Sequence, residues 1–204
     1  MNPKTTRLLD RARCCLAAID VQQFFLDKLP LDQRQPLVAR IFWLMRVALA
    51  LEIPLPVTGE DIPRDGPVVR EIEELLPKGL PARNKMVFGL HDQADIRVAV
   101  EATGRDQFVL TGLETDVCVT HSAFGLLVAG YEAVVALDAC ASPPPHHDIA
   151  IARLRTAGVT ITTVKGIYYD WVRDLATLAL VKARIGGALP PRADALACMH
   201  PWIR

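Results

Sequence analysis

The sequence is poor in the features that announce most binding functions. Its 23 Lys and Arg are matched by 23 Asp and Glu, so the formal net charge is zero. No basic run breaks the balance, which argues against nucleic acid or a membrane surface as partner. The apolar stretch Ile41 to Leu51 carries Arg46 and is too short to span a bilayer. The N-terminal Met-Asn-Pro-Lys-Thr-Thr-Arg has no apolar h-region, so no secretory signal is expected. There is no C-x-x-C pair, which removes the usual structural zinc site. No G-x-G-x-x-G follows a strand-like run, which removes the dinucleotide fingerprint. The five cysteines are an odd number without framework spacing, and Cys14 and Cys15 are adjacent. Reduced thiols in a cytoplasmic protein are expected. No repeat, low-complexity segment or domain boundary stands out, and 204 residues suit one domain, 1–204.

What is present is an alternation of apolar runs and helical periodicities. Cys14-Cys-Leu-Ala-Ala-Ile19 is a continuous apolar run, as a central parallel strand buried on both faces would be, and Asp20 falls at its carboxyl end. Val21 to Phe25 reads as a loop. Gln35 to Leu51 has helical spacing, Leu55 to Thr58 a strand, Gly59 to Pro63 a loop, Val68 to Leu76 a short helix, and Lys85 to Phe88 a brief extended piece. Asp92 to Thr103 is predicted helical, Gln107 to Leu113 a strand, and Val117 to Ala129 a helix stopped by Gly130. Ala133 to Leu137 reads as a strand ending at Asp138, His146 to Thr156 as a helix, Val159 to Val164 as a strand and Tyr168 to Leu180 as a helix. The prolines after Gly186 predict an extended tail, 186–204, apolar enough to pack on its own domain or a neighbour. Alternating strands and helices predict βαβ units and a three-layer α/β/α sandwich around a mostly parallel sheet of about six strands.

Three reactive residues take comparable positions in that pattern. Asp20 ends a strand, Lys85 begins an extended piece, and Cys118 opens the helix after a strand. Groups at the carboxyl ends of parallel strands share one edge of the sheet. A thiol at a helix N-terminus is biased toward thiolate. A carboxylate beside it can take its proton, and an ammonium can favour both anions. Such a thiolate attacks a carbonyl or imine carbon, and water hydrolyses the adduct. His121, one turn after Cys118, offers a rival Cys–His pair without an obvious orienting Asn or Asp.

The run Gly112-x-Glu-Thr-x-x-Cys118-Val-x-x-Ser-Ala, with Gly130-Tyr131 and Asp138-Ala-Cys-Ala-Ser142, resembles the nucleophile region of the isochorismatase-like cysteine hydrolases. Ile19-Asp20-x-Gln22 and Asn84-Lys85-x-x-Phe88 extend the resemblance over roughly Cys14 to Leu175. It implies a catalytic Asp20–Lys85–Cys118 triad, an oxyanion hole of the Glu114 and Cys118 backbone N–H groups, and a cis peptide before Glu114. It also implies hydrolysis of a small amide or carbamoyl compound and association into a homo-oligomer. Nicotinamidase-type branches carry an Asp and two His after the second strand. Here that segment is Thr58-Gly-Glu-Asp-Ile-Pro63, so no metal and no cofactor are expected. Phe24, Phe25 and Glu60 are candidate pocket residues, with Trp43, Tyr168 and Trp171 as further candidate walls. Asp138 and Ser142 suit a structural role, and His146 and His147 a solvated one. The alternative function is an idle scaffold that keeps the fold for assembly.

Overall fold

Every residue of β1 (Cys14–Ile19) is buried, as its unbroken apolar run requires. The computed structural model describes residues 8–187. After β1 come α1 (Gln23–Leu26), α2 (Leu31–Ala50), β2 (Val57–Glu60), α3 (Ile62–Asp65), α4 (Arg70–Glu73) and β3 (Arg83–Lys85). Then follow α5 (Ala94–Glu101), β4 (Gln107–Leu113), a π-helical turn (Thr115–Val119) that runs into α6 (Thr120–Val128), and β5 (Glu132–Ala141). The described part closes with α7 (His146–Thr156), β6 (Thr160–Thr162), α8 (Val164–Val172) and α9 (Leu175–Arg184). Among the described residues the strands form one six-stranded sheet in the order β3-β2-β1-β4-β5-β6, and every pairing is parallel.

The two faces of β1 divide the core. Cys14, Leu16 and Ala18 pack with Trp43 and Leu44 of α2 and with Tyr168 and Trp171 of α8. Cys15, Ala17 and Ile19 pack with Ile96 of α5, Ala123 and Leu126 of α6 and Leu154 of α7. The period-2 alternation of a strand thus produces three layers. From β1 the chain lays down β2 and β3 on one side, then returns and lays down β4, β5 and β6 on the other. The two directions part between β1 and β4. In open α/β sheets that switch point is where a crevice forms at the carboxyl ends of the strands.

Several boundaries differ from the sequence-based expectations. The long helix starts at Leu31 rather than Gln35 and takes Pro36 into its second turn. The segment expected as a loop after Asp20 contains α1. The second strand runs over Val57–Glu60 rather than Leu55–Thr58, which carries Glu60 to a strand end. Strand β5 does not stop at Asp138. That carboxylate accepts from Val164 N–H at 2.7 Å and its carbonyl accepts from Arg40 Nε, so its polar groups are satisfied inside the fold. The expected helix from Tyr168 to Leu180 is two helices, broken where Arg173 adopts φ +55° and Asp174 caps Thr177 N–H at 2.7 Å. The expected tail lies outside the described residues, apart from Gly186 and Gly187.

One glycine sets the geometry at the switch point. Gly112 sits at φ +119° beside a register irregularity of β4, and a Cβ there would stand 1.9 Å from the Ile19 carbonyl oxygen. The obstacle is backbone of the strand that ends in Asp20, so it cannot swing aside. Gly112→Ala is therefore expected to cost at least about 3 kcal/mol of stability. Chemical denaturation checks this, and an unchanged unfolding midpoint would contradict it.

Candidate active site

Four neighbouring strands each bring one reactive group to the same edge. Asp20 follows β1, Glu60 ends β2, Lys85 ends β3, and the Cys118 turn follows β4. Glu60 and Lys85 are register partners. Asp20 adopts φ +50°, an uncommon conformation for a residue with a Cβ, and its N–H bonds the Thr58 carbonyl at 3.0 Å. Its Oδ1 accepts from Thr58 Oγ1 at 2.8 Å, and its Oδ2 lies 2.9 Å from Lys85 Nζ. Both side chains are fully buried, at 0% exposure. Lys85 Nζ also donates to the Val87 carbonyl at 2.8 Å and to Cys118 Sγ at 3.5 Å, and it stands 3.7 Å from Glu60 Oε2.

Cys118 is 1% exposed, and its thiol donates to Glu60 Oε2 at 3.0 Å. It sits within the π-helical turn before α6 rather than opening that helix. The turn is held from all sides. Val117 and Val119 N–H bond the Glu114 carbonyl at 3.2 and 3.1 Å. Asp116 N–H bonds Ser142 Oγ at 3.2 Å, and Ser142 returns a bond to Asp116 Oδ1 at 2.6 Å. Thr115 Oγ1 meets His147 Nδ1 at 2.9 Å, and Thr120 Oγ1 bonds the Thr115 carbonyl at 2.6 Å. Ser122 Oγ bonds the Cys118 carbonyl at 2.6 Å and accepts from Leu90 N–H at 3.1 Å. The peptide between Leu113 and Glu114 is cis.

The position of Glu60 is fixed through Gln22. That buried side chain accepts from Glu60 N–H at 2.7 Å and donates to the Glu60 and Gly66 carbonyls at 2.8 and 2.6 Å. All of its donors and acceptors point at backbone, so it clamps the end of β2. Gln22 stands in the Ile-Asp-x-Gln run, but nothing in the sequence says which backbone it would grip.

The electrostatics correct one sequence-based expectation. The Cys118 thiol is not biased toward thiolate in this resting arrangement. Burial pushes its pKa up, and the negative charges of Asp20 and Glu60 push the same way, while Lys85 alone opposes them. Burial also raises the Asp20 carboxyl above the usual carboxylate range, against the pull of Lys85. For Lys85 burial works to lower the pKa, yet Asp20, Cys118 and Glu60 together outweigh it and the net shift is upward. The ammonium therefore stays charged, and the resting cluster is a thiol facing two carboxyl groups across one lysine. Asp20, Glu60 and Cys118 hold their donor atoms within 4.8 Å of one another, a spacing that a cation could use. Lys85 Nζ stands among them and supplies a positive charge there.

Other candidates fall elsewhere. Phe25 is a core residue. Phe24 is half exposed under Lys28, whose Nζ lies 4.9 Å from its ring centroid and 3.4 Å from Glu114 Oε2. Trp43, Tyr168 and Trp171 are also core, Trp43 and Tyr168 meeting edge to face at 5.0 Å. His121 is exposed and meets the Phe88 ring at 5.5 Å. It lines a surface cavity of about 460 Å³ with His91, Asp92 and Arg153, and none of Asp20, Lys85 or Cys118 borders that space. His146 is exposed, but His147 is buried under the Cys118 turn, contrary to expectation, because Thr115 gives its ring a partner. Ser142 and Asp138 brace backbone.

The comparisons with known proteins assign the chain to a family and agree on its fold. The family model described as the isochorismatase domain matches residues 14–166, which span β1 to the start of α8. The chain belongs to the isochorismatase domain family. Isochorismatase domain-containing protein 2B of Mus musculus is 32% identical over 146 residues, covering 69% of this chain and 65% of the mouse protein. The chain thus spans just under two thirds of that relative's length. The structure of YcaC from Pseudomonas aeruginosa with hexane-2,5-diol and covalent acrylamide superposes with a TM-score of 0.81 at 26% identity, over 91% of this chain and 94% of that one. YcaC of Escherichia coli, described as an octameric hydrolase of unknown specificity, has a TM-score of 0.76 at 24% identity, over 87% and 90% of the two chains.

Because Glu60 raises the Cys118 pKa through both its hydrogen bond and its charge, Glu60→Gln is expected to lower it. The pH midpoint for iodoacetamide alkylation, followed at the Cys118 peptide by mass spectrometry, should move down. A midpoint that stays or rises would show that Glu60 does not control the thiol.

Proposed function

We propose that this isochorismatase domain protein is a cysteine hydrolase that cleaves a C–N bond of a small amide or carbamoyl compound through a thioester-type intermediate. The observation that carries this reading is the buried Asp20–Lys85 ion pair, whose Lys85 Nζ lies 3.5 Å from the Cys118 sulfur at the switch point of the sheet. The thiol gives its proton to the carboxylate side of the cluster as sulfur attacks the substrate carbon. Lys85 then faces the charge that the proton leaves behind. The Cys118 N–H lies in the turn whose neighbouring amides bond the Glu114 carbonyl and Ser142 Oγ. With the Glu114 N–H it is the natural donor pair for a developing oxyanion.

The idle-scaffold alternative explains less. Removing a lysine and an aspartate from water costs several kcal/mol per ion, only partly returned by their attraction. Assembly alone has no use for such a pair, whereas thiol chemistry does. The covalently held acrylamide of the P. aeruginosa neighbour supports a nucleophile of this kind here, since acrylamide is a thiol-seeking electrophile. The octamer of the E. coli neighbour supports a homo-oligomer, and the exposed Val128 and Ile149 offer apolar surface for one. The free thiols of Cys14, Cys15, Cys118 and Cys140 suit a reducing, cytoplasmic compartment.

A screen of small primary amides, ureas and carbamoyl compounds for ammonia release tests the reading. For any substrate found, Cys118→Ala should abolish turnover. Asp20→Asn and Lys85→Met should each lower kcat by roughly 10²–10⁴-fold. The double variant should be little worse than either, because the groups act as one unit. Full activity in Asp20→Asn together with its loss in His121→Ala would replace this reading with a Cys–His pair. Turnover should also survive exhaustive chelation, and activity lost to chelator and restored by one metal ion would overturn a lysine-based site.

A further inference from the structure

His147 takes no part in the attack or its proton transfers, yet the fold buries it. It is 3% exposed, and its Nδ1 lies 2.9 Å from Oγ1 of Thr115, which is fully buried. Burying an imidazole and a hydroxyl costs free energy that their hydrogen bond offsets, and an apolar pair would fill the space without that cost. What the hydrogen bond adds is direction. The helix that carries the ring is itself firmly seated. His147 stands one turn before Ile151 on the same face of α7, and Ile151 and Leu154 share a core cluster with Cys118 and Val119.

The end of β5 and the start of α7 grip the Cys118 turn at three points. Ala141 pairs with Leu113, the last residue of β4. Ser142 Oγ accepts from Asp116 N–H at 3.2 Å. His147 holds Thr115, which lies between those two. Glu114 is thus flanked by two anchored residues, Leu113 and Thr115. Its N–H is one of the two donors assigned above to the oxyanion, and such a donor is effective only if it is aimed before the charge develops. Fixing the residue on either side sets that aim. We propose that His147 is a positioning residue, whose bond to Thr115 aims the Glu114 N–H at the developing oxyanion. The proposal rests on the cysteine-hydrolase reading of this site. It gives His147 no proton to carry and leaves Asp20, Lys85 and Cys118 in their roles.

The test compares two reagents that consume the same sulfur. 4-Nitrophenyl acetate acetylates Cys118 through a tetrahedral oxyanion: the S–C bond forms, the C–O bond breaks and 4-nitrophenolate leaves. Iodoacetamide alkylates the sulfur by displacing iodide from a saturated carbon, where no oxyanion forms. Both reactions are followed on the full-length protein by mass at the Cys118 peptide. In His147→Leu the ratio of the acetylation rate to the alkylation rate should fall by at least about tenfold. A purely structural loss would change thiol access or ionisation and move both rates together, so an unchanged ratio would overturn the proposal. His147→Asn places an amide near the position of Nδ1 and should recover part of the ratio, whereas no recovery would overturn the Thr115 bond as the cause. Should His147→Leu fail to fold, Thr115→Val decides, because it deletes the other end of the bond and keeps the shape. Its ratio should fall likewise, and an unchanged one would overturn the proposal. Cys118→Ala separates the proposal from the reading beneath it. If that variant releases 4-nitrophenolate as fast as the parent, the cysteine nucleophile itself is wrong. If it is inert while His147→Leu keeps the parent ratio, only the role of His147 falls.

Discussion

The Lys85 ammonium, buried without access to solvent, is the constraint that organises this structure. A charge there is tolerable only if anions and dipoles surround it, and the fold supplies them from separate elements. Asp20 comes from β1, Glu60 from β2, the Val87 carbonyl from the segment after β3, and the Cys118 sulfur from the turn after β4. Breaking a buried pair by deleting one partner leaves an uncompensated charge, at a typical cost of about 3–5 kcal/mol. The same four-sided arrangement that makes the lysine affordable also fixes the sulfur opposite two carboxyl groups. Stability and chemistry therefore bear on the same atoms, and a substitution that disturbs one disturbs the other.

The cluster is unlike a resting thiolate–cation pair. A thiolate would bring a third negative charge against a single positive one, and burial adds its own penalty, so the proton stays on sulfur. A protonated thiol resists adventitious alkylation and oxidation, both of which follow thiolate character. Reactivity then has to come with the substrate. In the proposed hydrolase, a bound carbonyl whose developing oxyanion is met by turn amides would offer the negative charge a better location than sulfur or carboxylate. Proton loss and attack are thereby coupled.

Much of this was legible in the sequence, because the strongest signals are local. Cys14 to Ile19 and Gln107 to Leu113 read as buried strands from apolarity alone, and both boundaries match the structure. Asp20 and Cys118 were marked by their places after such runs, whereas Lys85 was expected to begin the extended piece Lys85 to Phe88 and instead ends β3. The part that was hidden depends on distant partners. Glu60 seemed a loop residue, because the β2 signal is short and its end is set by pairing with β3. Val21 to Phe25 lacked helical spacing because α1 is one turn long, held by the bridge of Gln22 to Val68. His147 looked solvated after three prolines, and its burial depends on Thr115, 32 positions away. The expectation of a thiolate failed for a related reason. The helix-terminus argument is local, but the pKa is decided by burial and by carboxylates from other strands.

The distribution of the site over four strands has a consequence for how it forms. No single strand with its following turn holds more than one of the reactive groups. The contacts joining them span long sequence separations, such as Asp20 to Lys85 and Glu60 to Cys118. Such non-local pairings carry a loop-closure entropy that strand pairing must offset. The decisive pairing is β1 with β4, which joins the two directions of the sheet and presses Ile19 against Gly112. A side chain at position 112 would hold those strands apart at the point where Asp20 and the Cys118 turn diverge. The glycine is thus a condition for bringing the carboxylate and the sulfur to one lysine, although it touches neither the thiol nor any substrate.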